Sequence, residues 1–240
     1  MNPIYPPPLV EGEIHIWLAE LDCPPSLHKE IAQSLSQEEK DRAIRFIDSH
    51  RRARFVVGRG FLRSLLGAYL SKRPHEIQFL CGPQGKPYLE YSKNEKVRFN
   101  LSHSGKYALY AFASGVEVGV DIEEISAIDN LESISRRYFS PQENQVIRAL
   151  PPQEQVNAFF DCWTRKEALI KACGDGFAIP LDSFTVSLNP GESHPVIESG
   201  SAYFPQAGWR ILPLTPTQGY TGAVAVQGPH NLHQFILPPQ

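Results

Sequence analysis

Between Gln153 and Lys171 the apolar residues Val156, Phe160, Trp163 and Ile170 recur at alternating steps of four and three, and Glu167 stands where the next apolar residue belongs. The spacing predicts an amphipathic helix whose stripe faces a core. A carboxylate on such a stripe is costly to bury unless a cation or a metal meets it. Lys171 lies one turn further on, and a simple Glu-to-Lys pair four residues apart would contribute only about 0.2–0.5 kcal/mol. Either that pair or a functional site accounts for Glu167, and in both cases another element must come up against this helix.

A second block narrows the choice. Val116 to Ile122 alternates apolar and polar residues and is rich in valine, which reads as a strand. Residues two apart in a strand share a face, so Asp121 and Glu123 point one way while Val120 and Ile122 point the other, into the core. Neighbouring carboxylates repel unless a cation sits between them, and Mg²⁺ accepts one or two carboxylates together with substrate phosphates. A solvated strand end is the plainer alternative, because acidic residues are mostly exposed. The third block, Phe99-Asn100-Leu101-Ser102-His103-Ser104, lies where two strands, Val97–Leu101 and Tyr107–Phe112, flank a turn from Ser102 to Gly105. A histidine between two serines in such a turn can donate hydrogen bonds to an oxyanion, or it is simply exposed. Together the blocks place Asp121, Glu123, Glu167, Lys171 and His103 on elements that could converge on one polyphosphate.

The 240 residues, 42% of them hydrophobic, suffice for one large domain or two modest ones with a proper core. A formal net charge of −3 gives no global basicity pointing to nucleic acid. Its distribution says more: between Lys40 and Arg73 ten Lys or Arg residues stand against two Asp, which predicts a local basic face suited to a phosphorylated ligand or an acidic protein. Arg54 on that face is a candidate phosphate ligand or a solvated helix charge. Lys86, between Gly85 and Pro87 in a turn, is another candidate, with a solvated lysine as the default. Cys23, Cys81, Cys162 and Cys173 show no C-x-x-C pairing and read as reduced structural thiols. His230 and His233 read as an incidental pair in a proline-flanked tail. The first residues do not form a leader, and no apolar run is long enough to span a bilayer, so the chain is expected to be soluble and cytoplasmic.

The remaining periodicities predict a strand at Ile14–Leu18, a Ser36-capped helix to Ile47, and a helix over Arg52–Tyr69. A strand at Ile77–Leu80 and helices at Leu131–Phe139 and Pro141–Leu150 follow. A second set of strands is expected at Phe184–Leu188, Trp209–Leu212, Tyr220–Val226 and Gln234–Leu237. The fold class is therefore α+β, with two closely packed halves, 1–115 and 116–240, dividing near Ser114-Gly115.

F-N-L-S-H-S at Phe99–Ser104, G-V-D-I-E at Gly119–Glu123 and W-T-R-K-E-A-L-I-K at Trp163–Lys171, in this order, resemble the signature blocks of the Sfp-type 4'-phosphopantetheinyl transferases. G-K-P at Gly85–Pro87, R-F at Arg45-Phe46 with Arg54 beyond, and I-P-L-D-S-F at Ile179–Phe184 extend the likeness over roughly Ser36–Leu188. The resemblance implies a monomeric pseudo-dimer of two similar α+β halves. Coenzyme A would lie in the cleft between a basic, nucleotide-binding N-terminal half and a C-terminal half carrying the metal carboxylates. It implies transfer of the phosphopantetheine arm to a serine of an acyl carrier protein or peptidyl carrier domain, with release of adenosine 3',5'-bisphosphate. Asp121, Glu123 and Glu167 would hold Mg²⁺, and Lys171 and His103 would contact phosphate oxygens. Ser102 would lie in the coenzyme A site, and Lys86 and Arg54 would hold the nucleotide end. Glu167 would be the base for the serine, directly or through water, with Lys171 beside it in catalysis. Which of Lys40, Arg42 or Arg45 meets the 3'-phosphate stays open, as does the carrier served.

Independently of the family, attack of a serine oxygen on a diphosphate spreads charge over phosphoryl oxygens, where a metal and cationic side chains act most strongly. Two other readings use the same residues. One is a Mg²⁺-dependent hydrolase that activates water instead of serine. The other is a module that binds coenzyme A or a carrier without transfer, which would have no need of all three carboxylates and Lys171.

Overall fold

The computed structural model describes residues 4–81, 87–89, 96–174, 179–188 and 208–237. One connectivity occurs in it twice. The first half runs from strand β1 (Glu13–Glu20) through helices α1 (Pro25–Gln33), α2 (Gln37–Ile44) and α3 (Ser49–Leu70). A small ribbon, β2 (Phe79–Cys81) with β3 (Pro87–Leu89), leads on to the hairpin β4 (Val97–Ser104) and β5 (Tyr107–Ser114). The second half repeats the plan with β6 (Val118–Glu124), helices α4 (Leu131–Tyr138), α5 (Pro141–Ala149) and α6 (Pro152–Cys173), and the hairpin β7 (Trp209–Leu214) and β8 (Tyr220–Gln227). In each half the opening strand pairs antiparallel with the closing strand of the hairpin, giving the orders β4-β5-β1 and β7-β8-β6. The molecule is thus an α+β pseudo-dimer.

The two sheets stack face to face. Ile14, Ile16 and Leu18 of β1 and Leu109 and Ala111 of β5 meet Val118, Val120 and Ile122 of β6 and Val224 and Val226 of β8 in a core between the sheets. Helices cover the outer faces: α1–α3 over the first sheet and α4–α6 over the second, each closing a core of its own. With both faces buried, β5 and β8 are almost wholly apolar rather than alternating.

Helix signals in the sequence have local physical causes. Ser36 caps α2 in a reciprocal box with Glu39, and the helix stops at Ile44, short of the expected Ile47. Asp48 caps α3 by accepting from Arg51 N, which starts that helix at Ser49 instead of Arg52. Gly60 on α3 faces Ile31 of α1, whose Cγ2 would lie 2.0 Å from an added Cβ, so the glycine lets the two helices touch.

Four expectations are corrected. Ser102–Ser104 continue β4 instead of forming the turn, which begins at Gly105 (φ 52°). Phe184–Leu188 is not a continuous strand: a single 3₁₀ turn at Leu181–Ser183 leads into extended chain with one bridge residue, Thr185, and the carbonyls of Leu181 and Phe184 are taken by Lys166 Nζ. The last strand, β9 (Asn231–Ile236), runs parallel to β1 and so belongs to the first sheet, not the second set. The basic stretch is only partly a face, since Arg63 is 2% exposed and Arg59 lies low in the structure, both paired with Glu39 at 2.6 and 2.7 Å. His230 and His233 do not meet; the first lies 3.3 Å from the Gly228 carbonyl and the second 3.5 Å from Glu13.

Gly119 decides how near α6 comes to β6. A Cβ there would fall 2.0 Å from Ala168 O and 2.3 Å from Ala172 N, both backbone atoms of α6. Only glycine permits this approach, which sets Glu167 and Lys171 of α6 beside Asp121 of β6. Gly119→Ala is expected to lower stability by about 3 kcal/mol, the upper end of overpacking costs, because backbone cannot yield as a side-chain tip does. Urea unfolding monitored by tryptophan fluorescence checks this, and an unchanged midpoint would contradict it.

Candidate active site

Three elements build the site: the polar face of β4, the outer face of β6 and one face of α6. Alternation along β4 turns Phe99 into the helix-side core and Asn100, Ser102 and Ser104 toward β6. On β6, Val118, Val120 and Ile122 enter the inter-sheet core, leaving Gly119, Asp121 and Glu123 on the side of α6. That parity agrees with the alternation read from the sequence, but the strand end is not solvated, since Asp121 is 2% exposed.

Asp121 is the centre of the arrangement. Its Oδ1 accepts from Ser102 Oγ at 2.7 Å and from Lys171 Nζ at 2.6 Å, and Lys171 also donates to Ser102 Oγ at 3.0 Å. Oδ2 of Asp121 is buried with no hydrogen-bond partner among the described residues. A buried carboxylate oxygen left so is expensive, and a hard cation is the kind of partner that would meet it. Glu123 takes a 2.7 Å hydrogen bond from Ser104 Oγ. Burial raises its pKa above the ordinary carboxylate value, and the charge of Asp121 adds to this against the Ser104 hydrogen bond. Glu167 is raised as well, first by burial and further by Asp121 and Glu123, with Lys171 acting the other way. These mutual effects place Asp121, Glu123, Glu167 and Lys171 within one another's fields.

Among the described residues no three His, Cys, Asp or Glu side chains form a ready metal cage, and Lys171 stands on the Asp121 oxygen. Hard oxygen donors, like charges held together and an unpartnered buried oxygen fit Mg²⁺, which is characteristically bound through one or two carboxylates and completed by substrate phosphates.

His103, on the strand face opposite Ser102 and Ser104, is exposed. Partial loss of hydration beside the surrounding protein, and then the charge of Lys171, lower its pKa. It also feels the charge of Arg42, one of the residues that line a cavity of about 920 Å³ between α2, α3 and β2. Arg42, Arg45, Arg59 and the rings of Phe46, Phe55 and Phe79 line that cavity. Arg42 lies 5.3 Å over Phe55 and Arg59 4.5 Å over Phe79. The arrangement suits a flat, anionic ligand.

The other sequence candidates fall differently. Ser102 is 8% exposed and bridges Asp121 and Lys171 instead of opening to the cleft. Arg54 grips Asp22 with two 2.7 Å bonds and donates to the Gly105 carbonyl at 2.9 Å, at the turn that follows Ser104. Lys86 lies outside the described residues. Asn100 and Ser104 were not singled out from the sequence, although a strand with Asn, Ser and Ser at every second position carries a wholly polar face, and that was the available signal.

Because Glu167 has a raised pKa in the folded state, that state binds its proton more tightly than the unfolded chain does. Stability therefore falls as pH rises from the unfolded value near 4.5 through the folded value. Without metal, Glu167→Gln should be more stable than the parent at pH 7, with the advantage shrinking towards pH 4.5. Urea midpoints at the two pH values check this, and a variant less stable at pH 7 would count against the charge argument.

Two family models match the chain: "4'-phosphopantetheinyl transferase, N-terminal" over residues 24–115 and "4'-phosphopantetheinyl transferase superfamily" over 117–224. The 4'-phosphopantetheinyl transferase HetI of Nostoc sp. is 38% identical over 92% of this chain and 90% of its own length. The 4'-phosphopantetheinyl transferase Sfp of Bacillus subtilis is 34% identical over 65% of this chain and 72% of its own. A solved holo-[acyl-carrier-protein] synthase of Thermotoga maritima superposes with a TM-score of 0.40 and 18% identity, covering 47% of this chain and 63% of that one. With identity at that level along nearly the whole length of HetI, this chain belongs to the 4'-phosphopantetheinyl transferase superfamily.

Proposed function

We propose that this transferase moves the 4'-phosphopantetheine arm of coenzyme A to a serine hydroxyl of an apo acyl or peptidyl carrier, with Mg²⁺ and with release of adenosine 3',5'-bisphosphate. The observation that carries the reading is the contact of buried Asp121 with Lys171, set among Glu123, Glu167 and Ser102. The cluster offers carboxylates for a metal and a cation for a diphosphate, and the cavity a basic, aromatic recess suited to a nucleotide.

In the reaction the serine oxygen bonds to the phosphorus that carries the pantetheine arm. The bridging P–O bond of the diphosphate breaks, the electron pair leaves with the nucleotide, and the serine proton passes to a base. Asp121, Glu123 and Glu167 would hold Mg²⁺, whose contribution when bound is to neutralise charge on the diphosphate oxygens. Lys171 Nζ, now on Asp121 Oδ1, is within a side-chain rotation of a phosphate placed at the cluster, and its charge would stabilise the leaving oxygen. The lowered pKa of His103 keeps its ring largely neutral near pH 7, so that it orients a phosphate oxygen by hydrogen bonding. Glu167, with its raised pKa, is a better proton acceptor than an ordinary carboxylate, but coordination would lower its basicity. We assign it as ligand first and base second.

At the nucleotide end Arg42 and Arg45 are the better placed of the three open candidates, since both line the cavity and Lys40 does not. Arg54 would join them by exchanging Asp22 for phosphate, and Lys86 is retained on its motif alone. The repeated connectivity on either side of residue 115 supports the division into 1–115 and 116–240, with β9 crossing back to the first sheet. We read the chain as a cytoplasmic monomer: the free thiols Cys23, Cys162 and Cys173 suit a reducing compartment, and the internal repeat supplies both halves within one chain.

Intact-mass spectrometry of an apo carrier incubated with the protein, coenzyme A and Mg²⁺ tests the reading. The expected result is a gain of one phosphopantetheine that disappears with EDTA and with Asp121→Ala or Glu167→Gln, both variants remaining cooperatively folded. Adenosine bisphosphate formed with no mass gain on fatty-acid or nonribosomal-peptide carriers would replace transfer by hydrolysis. Parental rates in either variant would remove the metal site.

A further inference from the structure

We propose that Ser104, supported by Asn100 on the same face of β4, is a positioning residue that holds Glu123 in register with Asp121. Among the described residues β4 is an edge strand of the first sheet and β6 an edge strand of the second, and no ladder joins these two. Side chains join them instead. Val120 N donates to Asn100 Oδ1 at 2.9 Å, and four residues on along both strands Glu124 N donates to Ser104 Oγ at 3.1 Å. Asn100 and Ser104 thus cap backbone donors on the open edge of β6, and their common spacing fixes the register of the two strands.

The second bond of Ser104 gives it a role beyond edge capping. A serine hydroxyl is one donor and two acceptor sites on a free rotor. Here the Glu124 N–H occupies an acceptor site, and the proton is committed to Glu123 Oε2 at 2.7 Å. The hydroxyl therefore fixes the carboxylate of Glu123 relative to the backbone of the residue that follows it. Without that anchor, Glu123 shares a face with Asp121, is repelled by it, and has the rotamer freedom of a long side chain to turn outward. Ser102 bonds Asp121 Oδ1 in the same way, so β4 presents hydroxyl donors at the two-residue period at which β6 presents carboxylates.

The inference rests on the reading of Glu123 as a metal ligand. Outer partners of metal ligands typically change metal affinity about 10–100-fold when removed, and we expect about tenfold for Ser104. Thr and Val have nearly the same shape and both suit a strand, so Ser104→Thr and Ser104→Val differ essentially in the hydroxyl. Mn²⁺ binding to the protein with coenzyme A, followed by titration calorimetry, should be near the parental affinity in Ser104→Thr and about tenfold weaker in Ser104→Val. Coenzyme A affinity without metal and the urea midpoint should differ little between the two. Equal Mn²⁺ affinity in the Thr and Val variants would overturn the role of Ser104 while leaving the transferase reading intact. An equal loss of metal, coenzyme A affinity and stability in Ser104→Val would reduce Ser104 to edge capping. No Mn²⁺ binding by the parent with coenzyme A would overturn the metal reading itself, and this inference with it.

Discussion

The backbone contact between β6 and α6 at Gly119 is the constraint on which the site depends. With Ala168 O as near as it is, α6 rests directly on the strand, and residues one turn either side of that contact must face Asp121 or its neighbours. Lys171 meets Asp121 for this reason, and Glu167 enters the field of two further carboxylates. Such a contact does not favour the fold by itself. Burying one unpartnered carboxylate oxygen and crowding three acids costs free energy that a well-packed apolar cluster would not. The stability comes from elsewhere, chiefly the cores under α3 and α6 and the one between the sheets.

The repeated connectivity makes the two halves alike in topology and unlike in chemistry. Acids come from the opening strand and last helix of the second half, whereas hydroxyls come from the hairpin of the first and arginines from α2 and α3. A site assembled in this way can exist only where the halves meet. Charge within the first half is also sorted. Glu39, the capping partner of Ser36, occupies Arg59 and Arg63 together. The outer part of the cavity, with Arg42 and Arg45, is thereby left as the cationic end that a ligand meets.

Much of this was legible because it rests on short-range periodicity. The helix of Val156, Phe160 and Trp163 and the parity of Asp121 and Glu123 needed only the helical and two-residue repeats, and Ser36 with Glu39 only a local capping pattern. The buried stripe itself is displaced: Val156 and Trp163 are only partly buried, and the most buried line runs through Phe159, Cys162, Lys166 and Leu169. What was not legible depends on partners distant in sequence. Counting Lys and Arg from 40 to 73 overstated the basic face, since Glu39 and burial withdraw Arg59 and Arg63. Periodicity cannot say which sheet β9 joins, because its parallel partner β1 lies at the other end of the chain. It cannot foresee that a buried lysine, Lys166, will take the carbonyls of Leu181 and Phe184 where a strand was expected. Ser104 carries no signal of its own, because a serine is informative only once the strand facing it is known.

The crowding of carboxylates bears on how the cleft is used. A group of like charges held by neighbouring packing is a standing cost, only partly offset by Lys171. Any cation that binds the folded chain and not the unfolded one relieves that cost and stabilises the fold by mass action. Cation binding and stability are then two readings of one interaction, and the repulsion among the carboxylates provides the driving force for binding. Rigid placement matters for this reason: repulsion stored between side chains free to swing apart would dissipate into rotamer changes. The hydroxyls of β4 and the close seat of α6 on Gly119 oppose that escape, which keeps the cost available to be returned on binding.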